Sequence, residues 1–358
     1  MATVLDNIPV DLLGILSNKY ELHAILFNVS DTLNFHTKQF VNSLDYKNSS
    51  TIEEAAKIGN VLFFEYCIQR GFELNLKVFT NAAAFGHLEL LKYLHTIERV
   101  NTYALCKEAA KSGNLELMKW LREQNCFWDY HTYLAAAKYG HLHIIEYALE
   151  NGCLIDCPNN NCTWGITFHE QITNIAARKG YINILQYAVE NKWGWDLYIN
   201  TYAAEKGQID ALKWLHKNVQ KCNHYTYVKA ASAGKISILE WLEEEVMTYD
   251  RNNTLPLEEA ASTGQLETVK WLHKRGFRLT ELVFSSAGAG TIEVLEYLID
   301  NNCPMDTYAY ATAIMSNKLE NIKWLHLHKC PYDNDSTLLA QNMNHPNPEI
   351  IKWLTITF

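Results

Sequence analysis

Proline is scarce in this chain, 7 of 358 residues, and glycine supplies only 16, which excludes collagen-like and linker-rich architectures. No apolar run approaches the roughly 18–20 residues that a bilayer span needs. The opening MATVLDNIPV also lacks the basic stretch followed by an apolar one that marks a signal peptide. Positive charge is in deficit: 31 Lys plus Arg against 40 Asp plus Glu give a formal charge of -9. Nucleic-acid backbones are therefore poor partners, because binding them needs a positive face that displaces counterions. The chain has no GxSxG elbow, Walker loop, dinucleotide glycine fingerprint or HExxH helix, so no catalytic constellation is visible and no enzyme is expected. Nine cysteines, an odd number spread over the whole length, do not form a secreted disulfide framework. The expected setting is cytoplasmic or nucleocytoplasmic. Hydrophobic residues at 48% and charged residues at 20% leave enough apolar surface to build a folded core.

What fills the chain is self-similarity. The segment AAAFGHLELLKYLH around Gly86 returns as AAKSGNLELMKWLR around Gly113, and again as AAEKGQIDALKWLH and AASTGQLETVKWLH. The turn glycines are Gly59, Gly86, Gly113, Gly140, Gly180, Gly207, Gly234, Gly264 and Gly290, with Asn317 and Pro346 in the same slot of two degenerate copies. Most neighbours are 27 residues apart; the interval from Gly140 to Gly180 is 40, a 13-residue insertion near residues 151–167. Eleven copies cover residues 48–358, which is an array rather than a set of globular domains.

Each column of the repeat has a physical reason. Eleven residues before the turn stand Asn48, Asn75, Thr102, Asp129, Asp196, Asn223, Asn253, Asp306 and Asp335, with His169 and Leu279 as exceptions. Asp, Asn and Thr accept hydrogen bonds from the free amides of a first helical turn, so the column predicts N-caps. A short helix follows and ends in a small pair such as Ala82-Ala83 or Ala230-Ala231, which lets neighbouring helices approach closely. The turn glycine supplies a left-handed conformation that ends the helix and reverses the chain. The second helix carries apolar residues at turn +2, +4, +5, +7 and +8, the stripe of a helix packed on one side. Turn +7 is aromatic in all eleven copies: Tyr66, Tyr93, Trp120, Tyr147, Tyr187, Trp214, Trp241, Trp271, Tyr297, Trp324 and Trp353. A ring buries roughly 150–250 Å², so this column is expected to dominate packing between repeats.

The pattern A-A-x-x-G-H-L-E-x-x-K-W-L resembles the ankyrin repeat. Two departures stand out: the Thr-Pro-Leu-His opening is absent, and the period falls about six short of the usual 33. The missing residues lie between the second helix and the next cap, so the resemblance implies helix pairs with shortened fingers. Endings such as Cys126-Phe127-Trp128-Asp129 and Cys303-Pro304-Met305-Asp306 resemble the short ankyrin repeats of giant DNA viruses and some protists. The expected fold class is all-α: an α-solenoid of about eleven ankyrin-type helix pairs behind a small helical head.

That head, residues 1–47, does not carry the repeat. Pro9 suits a first helical turn, and Leu12-Leu13, Ile15-Leu16 and Ile25-Leu26-Phe27 are spaced for two or three short helices. The order Pro, Leu-Leu, Ile-Leu, polar break and Val29-Ser30 resembles the F-box, although the tryptophan often found after Val-Ser is replaced by Leu33 nearby. The resemblance implies that Pro9, Leu12, Leu13, Ile15 and Leu16 dock a Skp-type adaptor of a cullin–RING ubiquitin ligase. The residues alone also fit a cap that shields the apolar end of the array.

Metal chemistry receives little support. His95, His216, His273 and His326 share turn +9, His87 and His141 share turn +1, and Cys126, Cys153, Cys303 and Cys330 share turn +13. Side chains that recur with the repeat are expected to be structural. Near the insertion, Cys153, Cys157, Cys162 and His169 could supply four zinc ligands. The spacing lacks a tight pair, however, and two of the four occupy repeat positions, so no metal and no cofactor is expected. The acidic runs Glu243-Glu244-Glu245 and Glu258-Glu259 are expected to be solvated.

Repeat arrays of this kind bind proteins on a long concave surface. The resulting expectation is a monomeric substrate-recognition subunit, with an adaptor on the head and a target on the array; a scaffold or inhibitor with no ubiquitin link is the alternative. Target contacts are expected from aromatics near fingers and first-helix starts: Trp128, Tyr130, Tyr133, Trp195, Tyr198, Tyr225 and Tyr227, with Trp164 in the insertion.

Overall fold

The computed structural model describes residues 49–69, 71–100, 102–155, 167–333, 335–342 and 347–358. The head with Pro9, Leu12, Leu13, Ile15 and Leu16, and the insertion residues Cys157, Cys162 and Trp164, lie outside the described residues. Every element among the described residues is helical, and the helices come in pairs. They are α1 (Ser49–Ala55) with α2 (Val61–Gln69), α3 (Leu76–Ala84) with α4 (Leu88–Ile97), and α5 (Tyr103–Ser112) with α6 (Leu115–Glu123). Next come α7 (Tyr130–Tyr139) with α8 (Leu142–Glu150), α9 (Phe168–Lys179) with α10 (Ile182–Glu190), and α11 (Ile199–Glu205) with α12 (Ile209–Asn218). The last five pairs are α13 (His224–Ser232) with α14 (Ile236–Trp241), α15 (Leu255–Ser262) with α16 (Leu266–Lys274), α17 (Glu281–Ala287) with α18 (Ile292–Asp300), α19 (Tyr308–Met315) with α20 (Leu319–Leu327), and α21 (Asp335–Asn342) with α22 (Pro348–Thr357). The chain divides into two compact units, Met1–Ile175 and Ala176–Phe358, the boundary falling inside α9.

Within each unit, first helices stack on first helices. In the first unit α1, α3, α5 and α7 pack in sequence; in the second, α11, α13, α15, α17, α19 and α21 do so. The small pairs make this possible: Ala82, Ala83, Ala109, Ala110, Ala230, Ala231, Ala260 and Ala261 are fully buried. Caps start the helices as the residue types require. Asn75 accepts from the Val78 amide at 3.2 Å, Asp129 from His131 at 3.0 Å, Asp196 from Tyr198 at 2.7 Å and Asn223 from Thr226 at 3.2 Å. The exception at His169 resolves two residues upstream. There Thr167 Oγ1 accepts from the Glu170 amide at 3.3 Å while Glu170 accepts from the Thr167 amide at 2.6 Å, a reciprocal capping box. In the last described pair the cap also shifts by two: Asp333, not Asp335, accepts the amide bond at 3.0 Å, from Asp335 itself. Thr102 keeps the cap backbone conformation without a side-chain bond.

The turns reverse as the glycine column predicts. Gly59, Gly86, Gly113, Gly140, Gly180, Gly207, Gly234 and Gly264 all have φ between 70° and 82°, and Asn317 takes the same region at 57°. The amide after the turn then donates back to the first alanine of the pair, as in His87 to Ala82 and Gln208 to Ala203, both at 2.9 Å. Gly290 departs from the expectation. It is not left-handed; a Cβ there would lie 2.1 Å from the Ala261 carbonyl, so this glycine serves close approach instead.

A second constraint acts on the turn glycines. The side chain at turn +1 lies over the turn of the preceding repeat: His87 over Gly59, His141 over Gly113, Gln208 over Gly180 and Gln265 over Gly234. The histidines complete a latch, His87 Nε2 donating to Lys57 O at 2.7 Å and His141 Nε2 to Lys111 O at 3.0 Å.

Second helices bury turn +4, +5 and +8 completely or nearly so, as at Leu117, Met118 and Leu121 or Val294, Leu295 and Leu298. The ring at turn +7 sits at the edge of this core. Trp241 and Trp324 are buried, whereas Tyr93, Trp120, Tyr147, Tyr187, Trp214, Trp271, Tyr297 and Trp353 are half-buried. Four of these rings meet the turn +9 histidine of the preceding repeat edge to face. Ring centroids lie 5.5 Å apart for His95 and Trp120, 5.7 Å for His216 and Trp241, 5.9 Å for His273 and Tyr297, and 5.5 Å for His326 and Trp353.

Two predictions follow from this packing. Gly113→Ala should cost more than Gly71→Ala. Both lose the left-handed preference, worth about 1–2 kcal/mol. A Cβ at Gly113 would lie 2.5 Å from the His141 ring, while Gly71 has nothing within 4 Å. Displacing that ring adds about 1–3 kcal/mol, and urea unfolding of the two variants measures the difference. The second concerns pH. Burial lowers the proton affinity of His95 and His216, with the Arg99 and Lys221 charges adding to it. The unfolded histidines therefore bind protons first. Stability is at its fullest above the ordinary histidine pKa of about 6.5 and declines as pH falls from there through the lower folded values. Histidine NMR titration should place both folded midpoints below that of free imidazole.

Candidate functional site

The first helix of each repeat buries one side against its neighbours, and its outer start is left to solvent. In the second unit apolar side chains near the starts of first helices are repeatedly exposed: Tyr198 at 53%, Tyr225 at 49% and Tyr308 at 70%, each nine residues before its turn, and Leu282 at 61%, eight before Gly290. Single exposed apolar residues need no explanation, but recurrence near the starts of four first helices of the second unit makes a row. Tyr198 and Tyr225, on consecutive repeats, already meet edge to face with centroids 6.5 Å apart. Leu197 beside Tyr198 adds further exposed apolar surface.

Farther along, α19 and α21 enclose a cleft of 380 Å³ lined by Thr307, Tyr308, Ala311, Asp333, Asp335 and Leu338, among others. Leu338 is 55% exposed, so this cleft presents apolar side chains beside two carboxylates.

The other expected contact residues are distributed differently. Trp128 is buried; the Arg122 guanidinium lies 4.3 Å from its ring centre, and Tyr147 meets it edge-on at 5.8 Å. Tyr133 is fully buried and donates its hydroxyl to the Cys153 carbonyl at 3.1 Å. Neither ring is available to a partner: Trp128 packs from the short finger onto its own unit, and Tyr133 is buried within α7. Tyr130 is half-buried with its ring 3.9 Å from that of His131, and Trp195 is also half-buried.

Tyr227 is withdrawn for a different reason. After α14 the chain makes one π-helical turn, Leu242–Val246, closed by the Met247 amide on Leu242 O at 2.8 Å. The turn falls where the repeat is 30 residues long, from Gly234 to Gly264, rather than 27. It aims Glu243 inward, leaving its side chain 7% exposed. Glu243 takes Arg251 at 2.6 Å, Arg275 at 3.1 Å and the Tyr227 hydroxyl at 2.5 Å. Glu244 and Glu245 are exposed, so the expectation of a solvated acidic run holds for them and fails for Glu243. The Tyr227 ring stacks on Tyr249 at 4.4 Å, and Arg251 lies 4.8 Å from the Phe277 ring. Burial first, then the bond to Glu243, holds the Tyr227 hydroxyl far above the usual tyrosine range.

Metal binding finds no geometry among the described residues, where no group of three or more His, Cys, Asp or Glu converges. Cys153 donates to Asp129 O at 3.3 Å, Cys303 to Thr280 O at 3.4 Å and Cys330 to Asp306 O at 3.5 Å, each reaching back to the preceding cap segment. Burial raises all three thiols to about 12, so they stay protonated and poorly nucleophilic at neutral pH. Among the described residues no helix is long and apolar enough to cross a membrane.

Residues 200–282 match the ankyrin-repeat family, in three copies. The chain is similar to the human ASB11 ankyrin repeat domain in its crystal structure, at 19% identity over 56% of this chain and 99% of that one, with a TM-score of 0.40. It is also similar to the pentatricopeptide repeat protein PPR10, solved in complex with an 18-nt psaJ RNA element. There the identity is 10%, the coverage 99% of this chain and 62% of that one, and the TM-score 0.35. No curated protein matches the chain.

The Glu243 cluster yields a prediction. Glu243→Gln keeps the shape but leaves two arginines without their shared carboxylate, and should cost about 1–3 kcal/mol. Glu244→Gln, at an exposed position, should change stability by no more than about 0.5 kcal/mol. Urea denaturation of both variants checks the contrast.

Proposed function

We propose that this chain is a protein-binding ankyrin-repeat subunit that presents a target to a cullin–RING ubiquitin ligase. The carrying observation is the exposed apolar row near the starts of the first helices α11, α13, α17 and α19: Tyr198, Tyr225, Leu282 and Tyr308. Aromatic side chains held on a rigid scaffold lose little entropy on binding and dominate many protein interfaces. Tyr130, Trp195 and the insertion residue Trp164 extend the candidate contact set. In this reading the head engages a Skp-type adaptor through Pro9, Leu12, Leu13, Ile15 and Leu16, which rests on their likeness to the F-box. The chain performs no covalent chemistry; it raises the effective concentration of a target beside the transfer machinery. It acts as a monomer in the cytoplasm or nucleocytoplasm. The short period and the Cys-x-x-Asp endings support the short-repeat type of giant DNA viruses and protists.

Co-purification from cells expressing the full-length chain tests both arms. A Skp-type adaptor should be retained, and Leu12→Ala with Leu13→Ala should release it while target proteins stay bound. Tyr198→Ala with Tyr225→Ala should do the reverse, weakening target capture about tenfold, the effect of losing about 1–2 kcal/mol at an interface centre. Failure to retain any adaptor overturns the ligase arm and leaves a scaffold or inhibitor as the function.

A further inference from the structure

We propose that the cleft between α19 and α21 is a docking groove for a protein segment in which lysine or arginine alternates with apolar side chains. This rests on the reading of the first-helix surface as protein-binding and adds the chemistry of its partner. The cleft, 380 Å³, is lined by Tyr308, Ala311, Leu338 and Leu339 together with the carboxylates of Asp333 and Asp335. An apolar side chain of the partner covers Tyr308 and Leu338, which are otherwise largely exposed. The aliphatic stem of a lysine or arginine lies along the same apolar wall while its charged head reaches the carboxylates.

Charge complementarity selects this occupant. Among the described residues no Lys, Arg or His forms an ion pair with Asp333 or Asp335, whereas Glu243, Glu53 and Glu108 all have cationic partners in the fold. Asp333 is held in place by accepting the Asp335 amide at 3.0 Å, so its carboxylate is preorganised rather than free to turn away. Two carboxylates on a chain of net charge -9 repel phosphate backbones and anionic lipid surfaces. A bare divalent cation is not favoured either, since no third carboxylate, His or Cys joins the pair among the described residues.

The test uses the full-length chain and three fluorescein-labelled eleven-residue peptides: leucine alternating with lysine, leucine with glutamate, and serine with lysine. Fluorescence anisotropy should show saturable binding of the leucine–lysine peptide and at least tenfold weaker binding of the other two. Asp333→Asn with Asp335→Asn keeps a capping side chain at the helix start, so the fold is retained. It should weaken leucine–lysine binding about fivefold and remove most of its salt dependence, as expected of exposed ion pairs. Leu338→Ser should weaken binding by a similar factor while leaving the salt dependence in place. The proposal is overturned if the leucine–lysine peptide does not saturate, if the leucine–glutamate peptide binds equally well, or if the double Asn variant binds as the parent does. Should any of these occur while Tyr198→Ala with Tyr225→Ala still loses target proteins, the cleft is withdrawn and the protein-binding reading stands. If those two substitutions leave target capture intact but the peptide results hold, it is the row that fails.

Discussion

The turn between the two helices of each repeat is the constraint from which the rest follows. Its residue sits at positive φ in every described copy but that of Gly290, and at most copies the next repeat lays a side chain directly on top of it. A Cβ would offend twice, once against its own backbone and once against the neighbour. The same reversal orders the second helix against the first and brings the next turn +1 side chain within reach of a carbonyl two residues before the glycine, as His87 and His141 do. Folding one hairpin and docking the next are thus parts of one local event. That is why such arrays are stabilised by neighbour terms rather than by a single core.

Around this constraint the repeat distributes its burial unevenly. Small pairs in the first helices allow close approach, and aliphatic residues at turn +4, +5 and +8 fill the interior. The conspicuous aromatic column lies at the margin, where a ring can be apolar on one edge and meet a histidine of the previous repeat on the other. A half-buried Tyr or Trp suits such a boundary, because its polar tip can stay wet while its body packs. Tyr297 illustrates this, its hydroxyl within 2.8 Å of His273 Nδ1. The column marks the seam between repeats, while the fully buried interior combines aliphatic residues and alanines with other rings such as Tyr133, Tyr227 and Phe284.

Most of the fold was legible because the repeat prints the same physics many times. Cap, small pair, turn and amphipathic helix each recur, and the eleven expected helix pairs are present among the described residues. What escaped notice is what occurs once or needs tertiary knowledge. Glu243 read as solvated because a run of three glutamates on a helix normally is; only the π-helical turn, an insertion too small to interrupt the pattern, rotates one of them inward. Gly290 occupies the turn column yet serves a carbonyl contact that no spacing reveals. Asp333 and Asp335 stand two apart, and either could have capped α21. Among the candidate contact residues, Tyr198 and Tyr225 were identifiable as aromatics near helix starts, while Leu282 and Tyr308 stand out only by their exposure. Trp128, Tyr133 and Tyr227 carried the same aromatic signal and turned out to be packing residues, Trp128 from a short finger and the two tyrosines from the inward sides of α7 and α13.

The uneven distribution also bears on how recognition could diversify without loss of the fold. Turn, small pair and aliphatic stripe are each fixed by contacts on two repeats, so substitution there disturbs neighbours. The exposed helix starts have no such obligation: Tyr198, Tyr225, Leu282 and Tyr308 differ in shape while the helices beneath them keep the same geometry. The last described first helix goes further. It carries Asp335 at its start and Leu338 a turn later, which sets charge ahead of the apolar contact. A partner that traverses the row in the second unit therefore meets aromatic surface first and a mixed apolar and acidic cleft at α21. Under the proposed function, selectivity comes from the order of surface chemistry along the repeats.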